Sequence, residues 1–166
     1  MVVTRSNFEG PPNEPADNIG LGLEHIKSRR LDLVKDSLTL AQFSEEAYRT
    51  ARDKGWWLYT RTFGDAISLI HSELSKALEE HRDGHKLTEV RINDKLYVNP
   101  ASDDFEEIDY LAQNGYKPEG VGIELADVLI RIFDLAGKEG LDLDSLVRAK
   151  MLFNRTRPYR HGGKLL

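Results

Sequence analysis

Hydrophobic residues recur at helical spacing in four segments of the chain. Apolar positions three and four residues apart predict amphipathic helices over about residues 39–54, 63–82, 121–138 and 142–154. Gly55 and Gly140 follow the first and third of these segments, where a glycine is typical of a helix end. The third segment is apolar around nearly its whole circumference, so we expect it to lie at the centre of the fold.

Two short stretches between the second and third predicted helices show a different pattern. Residues 89–92 and 95–98 alternate on either side of Asn93-Asp94, which predicts a β-hairpin with a tight turn. The acidic residues 103–107 predict an exposed stretch after it. We therefore expect an all-α fold, similar to a four-helix bundle, with a small hairpin insert at about 85–118.

The N-terminal region has a composition of its own. Residues 6–22 contain Pro11, Pro12 and Pro15 together with several glycines, a composition typical of irregular chain. We divide the sequence into an N-terminal arm, 1–38, which is partly irregular, and a helical domain, 39–166. The arm is either a disordered tail or a flap that folds over a site in a neighbouring subunit.

Composition and charge exclude several classes of function. The 166 residues include 23 Lys and Arg against 28 Asp and Glu, a formal net charge of −5, which argues against duplex nucleic acid as a partner. Cysteine is absent, which excludes disulfides, thiolate nucleophiles and cysteine-ligated zinc. No apolar run approaches the ~20 residues of a membrane span, so we predict no membrane contact and a cytoplasmic protein.

Charged residues form a narrow stripe on the third predicted helix. Glu124, Asp127, Arg131 and Asp134 fall within one sector of its helical wheel. The stripe is either the solvated face of the helix or a set of groups that points into a site. Glu124 and Asp127 are three residues apart and project together, so their charges repel unless a cation lies between them.

The second predicted helix carries a glutamate among apolar residues. Glu73 shares its face with Ala66, Ile70 and Ala77, so it loses hydration and should be protonated, paired or metal-bound. A buried salt bridge to Arg131 is one interpretation. The other is a metal site between two helices that present carboxylates to each other, and ligands that are all oxygen favour Mg²⁺ or Mn²⁺ over zinc.

Three segments resemble a known family. The stretch LIHSELSKALE at 69–79 and the stretch GIELADVLIR at 122–131 resemble the two metal-binding helices of the MazG-like, all-α nucleoside triphosphate pyrophosphohydrolases, which carry E-x-x-E and then E-x-x-D. The segment NRTRPYRHGGK at 154–164 resembles the tail of a MazG-like subgroup common in phages and bacteria. The resemblance covers about residues 43–164, apart from the insert.

The resemblance implies an enzyme. Members of this family use metal-activated water to cleave a nucleoside triphosphate, often a deoxynucleotide, between the α- and β-phosphates, which releases a monophosphate and pyrophosphate. It implies Glu73, Glu124 and Asp127 as ligands of two or three Mg²⁺ ions, with Mn²⁺ as a substitute. It also implies a homodimer or homotetramer that acts on the nucleotide pool in the cytoplasm, or in the host cytoplasm if the gene is a phage's. Purine deoxynucleotides, especially dGTP, and dCTP remain open as substrates.

One motif position departs from the family. Lys76 stands where the second glutamate of E-x-x-E is expected, and a charged ammonium cannot ligate a metal ion. Either Glu80 or Glu79 replaces that ligand, or one metal is lost, or Lys76 contacts phosphate. Glu80 shares the sector of Glu73 and is the expected replacement. Glu73 or Glu80 would then orient or deprotonate the attacking water.

Cations and aromatic residues complete the predicted site. Tryptophans can stack on a nucleotide base, so Trp56 and Trp57 are predicted to bind the base, with core packing as the alternative. Basic residues near a helix C-terminus can be ordinary dipole-favoured surface groups. The predicted phosphate-binding residues are Lys76, Arg131, Lys150, Asn154, Arg155, Arg157 and Lys164.

Two other functions remain open. Lys76 in the metal motif is compatible with a catalytically impaired relative that binds nucleotides or regulates another protein. The carboxylates could instead form salt bridges between helices in a structural helical dimerisation module. Metal-dependent turnover separates both alternatives from the enzyme.

Overall fold

The computed structural model describes residues 38–158. The predicted arm lies outside the described residues except for Leu38, and so does Lys164. Between 38 and 158 the chain is mostly helical, with five α-helices and one two-stranded antiparallel sheet. In chain order the elements are α1 (Leu40–Asp53), α2 (Phe63–Arg82), β1 (Glu89–Ile92), β2 (Lys95–Val98), α3 (Ser102–Gln113), α4 (Val121–Glu139) and α5 (Leu143–Thr156).

Side-chain caps define where the first two helices begin. The Thr39 hydroxyl accepts a hydrogen bond from the backbone N–H of Gln42, whose side chain accepts one from the backbone of Thr39. Thr62 and Asp65 form the same reciprocal pair at the start of α2. Such capping boxes satisfy N–H groups that the first turn leaves unpaired. The predicted helices at 39–54 and 63–82 are therefore confirmed.

Helix α4 lies at the centre of the helical part, as its apolar sequence predicted. It packs closely against both α1 and α2. Gly137 allows the closest approach, because a Cβ atom there would lie 2.3 Å from the carbonyl oxygen of Ser44. None of the helices between residues 38 and 158 has the length and apolar character that a membrane crossing needs.

The predicted hairpin is confirmed, but the prediction for the segment after it was wrong. Asn93 and Asp94 make the turn with positive φ angles of 48° and 61°, as a tight hairpin turn requires. The acidic residues 103–107, predicted to be an exposed stretch, lie in α3, where Asp103 is exposed but 104–107 are half-buried. Ile108 and Leu111 of α3 are buried with Val90 and Ile92 of β1, and Phe105 and Tyr97 pack against this cluster. These apolar residues hold the acidic helix against the hairpin.

The hairpin also fixes where α4 begins. The backbone groups of Arg91 and Glu119 exchange two hydrogen bonds, at 2.9 and 2.8 Å. Gly120 follows with a φ of 136°, and a Cβ atom there would lie 2.4 Å from the carbonyl oxygen of Glu89. The chain can pass this close to β1 only with glycine, and Glu124 then falls in the first turn of α4.

The contact at Gly137 generates a test of the helix packing. We expect Gly137→Ala to lower the free energy of unfolding by about 1–3 kcal/mol, because the added methyl group forces α1 and α4 apart. Gly64→Ala in α2 is the control, since its Cβ would meet only the Thr62 hydroxyl at an ordinary 3.6 Å. Urea denaturation followed by circular dichroism measures both variants. Equal stability of the two would contradict the close packing.

Candidate metal centre

Three carboxylates from two helices converge on one point. Glu73 projects from the middle of α2, and Glu124 and Asp127 project from the first two turns of α4. One carboxylate oxygen from each lies within 4.8 Å of the others. Glu73 and Glu124 are only 3% and 4% exposed. The groups singled out in the two sequence motifs therefore form one buried acidic cluster.

Glu73 is held charged by two cations. Its Oε2 accepts a hydrogen bond from Lys76 Nζ at 2.5 Å, and its Oε1 accepts bonds from Arg131 Nη2 at 3.2 Å and Nε at 3.3 Å. Burial raises the pKa of Glu73, but the hydrogen bonds and charges of Lys76 and Arg131 outweigh burial and hold that pKa below its ordinary value. The salt bridge between Glu73 and Arg131, one of the two sequence interpretations, is present.

Glu124 lacks a comparable partner. Its Oε2 is buried without a hydrogen bond from any residue between 38 and 158, and its Oε1 lies 4.0 Å from Lys117 Nζ. Burial raises the pKa of Glu124, and the nearby charges of Lys76 and Lys117 offset only part of that rise. A buried carboxylate oxygen without a partner is costly. Because a divalent cation would satisfy it, the donor set fits a hard, oxygen-ligated metal ion.

The structure does not bring Glu80 into this cluster. Glu80 was the expected replacement ligand and a candidate base, seven residues after Glu73 on the same face of α2. Its Oε2 instead accepts a hydrogen bond from Arg91 Nη2 of the hairpin at 2.6 Å. That pairing neutralises its charge away from the other carboxylates, so Glu80 is a link between α2 and β1.

A cleft of about 860 Å³ opens beside the cluster. Its wall is mainly apolar and includes the stacked rings of Phe43 and Phe133, whose centres are 5.5 Å apart. The volume lies within the range of small-molecule sites, about 300–1,000 Å³. The polar residues at its edge are Glu46, Thr50, Lys54, Glu73, Lys76, Asp127, Arg131 and Asp134.

The two predicted base-binding tryptophans have different environments. Trp56 lines the cleft and is 47% exposed, with the guanidinium carbons of Arg61 and Arg131 each 5.2 Å from its ring centre. Trp57 donates its Nε1–H to Asp134 Oδ1 at 2.8 Å. That bond holds Trp57 against α4, so the structural interpretation fits Trp57, and Trp56 remains open to a ligand.

The predicted phosphate-binding residues do not all lie at the cleft. Lys76 and Arg131 border the cleft. Lys150, Asn154 and Arg155 are exposed on α5, and Arg157 follows that helix. None of these four lines the cleft within the part of the chain that the structure describes, and α5 contacts α1 only lightly.

Sequence reasoning missed three cations beside the site, of which Lys54 at the end of α1 lines the cleft. Lys117 lies before α4 in an irregular segment and faces Glu124. Arg61 lies after the tryptophan pair and stands over both indole rings, 5.2 and 5.7 Å from their centres. Neither Lys117 nor Arg61 belongs to a helical stripe, so periodicity could not find them. For Arg61, the nearby Trp56-Trp57 pair was the available signal.

Comparison with family models, with curated proteins and with solved structures finds no match for this chain. The MazG-like resemblance therefore remains a prediction from three sequence segments. The candidate site stands on its own geometry.

The unpartnered oxygen of Glu124 predicts how the ion-free protein responds to substitution. In EDTA at neutral pH, we expect Glu124→Gln to raise the free energy of unfolding by on the order of 1 kcal/mol, because a neutral amide costs less to bury there. Since the pKa of Glu124 is raised, the charged form opposes folding, so the gain should shrink as the pH falls through that pKa.

Glu79→Gln is the matched control for this measurement, since Glu79 is exposed on α2 and should change stability little at any pH. Urea titrations at several pH values compare the three proteins. A stability loss in Glu124→Gln without metal would show that the carboxylate already has a partner.

Proposed function

We propose that this protein is a metal-dependent (deoxy)nucleoside triphosphate pyrophosphohydrolase, which forms a monophosphate and pyrophosphate and acts on the nucleotide pool. The observation that carries the proposal is the cluster of Glu73, Glu124 and Asp127, in which one oxygen of Glu124 has no hydrogen-bond partner in the part of the chain that the structure describes. A divalent cation is the ligand such a cluster suits, and triphosphates are substrates that need one. The sequence resemblance supports the same reaction.

Each carboxylate has a distinct role in this proposal. Mg²⁺, or Mn²⁺ in its place, supplies charge neutralisation of the phosphate oxygens and a bound water of lowered pKa. Glu124 and Asp127 would hold the ion, and Glu73, whose carboxylate lies within 4.8 Å of theirs, would orient the attacking water. Glu80 is less suited to this role because its carboxylate is held by Arg91 of the hairpin and does not belong to the cluster.

The cleft supports a nucleotide as the ligand. Lys76 and Arg131 contribute positive charge beside the carboxylates, where the triphosphate would lie. Trp56 offers an exposed aromatic face on the same cleft, which suits stacking on a base. Neither group distinguishes dGTP, another purine nucleotide or dCTP. Cytoplasmic action, in a phage's host if the gene is viral, remains a prediction.

Exposed apolar side chains support a homodimer or homotetramer. Leu125 of central helix α4 is 41% exposed outside the cleft. Five apolar side chains of α5 are 42–55% exposed: Leu146, Val147, Met151, Leu152 and Phe153. So many exposed apolar side chains on one helix are typical of an interface. A second copy could also bring the α5 cations to the cleft. Light scattering at micromolar concentration should give the mass of a dimer or tetramer, and a monomer would contradict this expectation.

Two other candidate functions each have one observation in their favour. The hydrogen bond between Lys76 and Glu73 favours a catalytically impaired relative that binds nucleotides without turnover. The ion pair between Glu73 and Arg131, which joins α2 to α4, favours a structural helical module. For the structural module, EDTA and Mg²⁺ should leave the melting temperature unchanged.

Pyrophosphate release tests the proposed reaction. The eight common NTPs and dNTPs are each incubated with the protein in Mg²⁺ and in Mn²⁺. We expect release from at least one of them. Glu124→Gln and Asp127→Asn should each lower the rate by at least about 100-fold. Substitution of a residue that only hydrogen-bonds to a metal ligand can already lower activity by up to about that factor.

Variants distant from the carboxylates complete the same assay. Glu79→Gln should retain the rate. Trp56→Ala should raise KM about tenfold, the scale of one lost stacking contact. Trp57→Ala should instead lower the free energy of unfolding, because Asp134 loses its hydrogen-bond donor. No release with any nucleotide, or full activity in both carboxylate variants, would rule out the proposed reaction.

A further inference from the structure

The ammonium of Lys76 lies against Glu73 in the carboxylate cluster, on a side of Glu73 where a metal ion would also lie close to its oxygens. It lies one turn after Glu73 on α2, and its Nζ donates to Glu73 Oε2 at 2.5 Å. The side chain is about half exposed, while the glutamate it contacts is buried. The ammonium therefore closes one side of the buried cluster and also borders the cleft.

All three carboxylates act on this ammonium. Its Nζ is hydrogen-bonded to Glu73, and Glu124 and Asp127 belong to the same cluster. A lysine ammonium is charged at neutral pH without any shift of its pKa. A divalent ion on the same side of Glu73 would meet this fixed positive charge, and that of Arg131, at short range.

Between residues 38 and 158, no fourth carboxylate joins the cluster of Glu73, Glu124 and Asp127. Glu80 is engaged by Arg91, and Glu79 is exposed on the outer surface of α2. A second ion would need at least one further oxygen near Glu73, because hard divalent cations take six or more ligands and favour carboxylates. Within the described residues, the cluster that could hold a metal ion consists of Glu73, Glu124 and Asp127.

We propose that Lys76 is a tethered cation that takes the place of a second divalent ion, so that the centre binds one metal ion per chain. This inference rests on the proposed metal centre and deepens it. Lys76 contributes one positive charge to Glu73, and the other N–H donors of its ammonium face a phosphate in the cleft that Lys76 lines. Lys76 is a positioning and charge-balancing residue. Its charge is covalently attached to the chain and, unlike a bound metal ion, does not dissociate into solvent.

Counting bound Mn²⁺ tests the inference without any turnover. The electron paramagnetic resonance signal of free Mn²⁺ is titrated against the full chain, and the lost signal gives the ions bound per chain. We expect one ion for the unchanged protein. Lys76→Glu restores an E-x-x-E motif and should bind two. Lys76→Met removes the charge and its hydrogen bond to Glu73 without adding a carboxylate, so its single ion should bind about tenfold more tightly.

Lys86→Met is the matched control. Lys86 also pairs with a largely buried glutamate three residues away, Glu89, at 3.8 Å, but outside the carboxylate cluster. It should bind one ion with unchanged affinity. Circular dichroism confirms that each variant is folded, and the half-exposed position of Lys76 favours this.

The other outcomes separate the inference from the function on which it rests. Two ions in the unchanged protein, or a single ion in Lys76→Glu, would overturn the role of Lys76 and leave the metal centre standing. No bound ion in any of the proteins would overturn the metal centre itself and with it the proposed function. Unchanged affinity in Lys76→Met would show that its charge does not act on the ion.

Discussion

Burial of two glutamates between α2 and α4 is the constraint on which the rest of the structure depends. Glu73 and Glu124 are almost completely buried, and a charged carboxylate removed from water must be paired, hydrogen-bonded or bound to a cation. The contacts around the cluster meet this requirement for Glu73 but not for Glu124. Two cations hold Glu73, whereas Glu124 keeps an oxygen without a partner.

This asymmetry connects the fold to the proposed chemistry. The hairpin and Gly120 set the start of α4, which places Glu124 at its first turn. Close packing of α1 on α4 at Gly137 forms the other wall of the cleft. A cation at the cluster would thus lie at the edge of a cleft large enough for a nucleotide, and Trp56 offers a flat face in the same space.

The sequence predicted what depends on local periodicity. Helical spacing located α1, α2, α4 and α5 within a few residues, and it placed Glu124 and Asp127 on one face. It missed α3 because an acidic first turn concealed the apolar spacing of Phe105, Ile108 and Leu111.

Contacts between distant residues were harder to predict. The pairing of Glu80 with Arg91 depends on how the hairpin folds back on α2, and the bond between Trp57 and Asp134 joins residues 77 positions apart. Neither pair leaves a periodic signal. A carboxylate on an apolar helix face must meet a compensating group, so the contact of Glu73 with Arg131 could be predicted. The meeting of Glu73 with Glu124 and Asp127 followed from the interpretation that the two helices present carboxylates to each other.

Anomalous diffraction from crystals grown with Mn²⁺ tests the central claim most directly, since it locates the ion without reference to any reaction. The carboxylate cluster predicts one strong peak per chain, at roughly 2.2 Å from oxygens of Glu124 and Asp127. A peak only at exposed acidic residues such as Asp103, or no peak at all, would contradict a metal centre at this site.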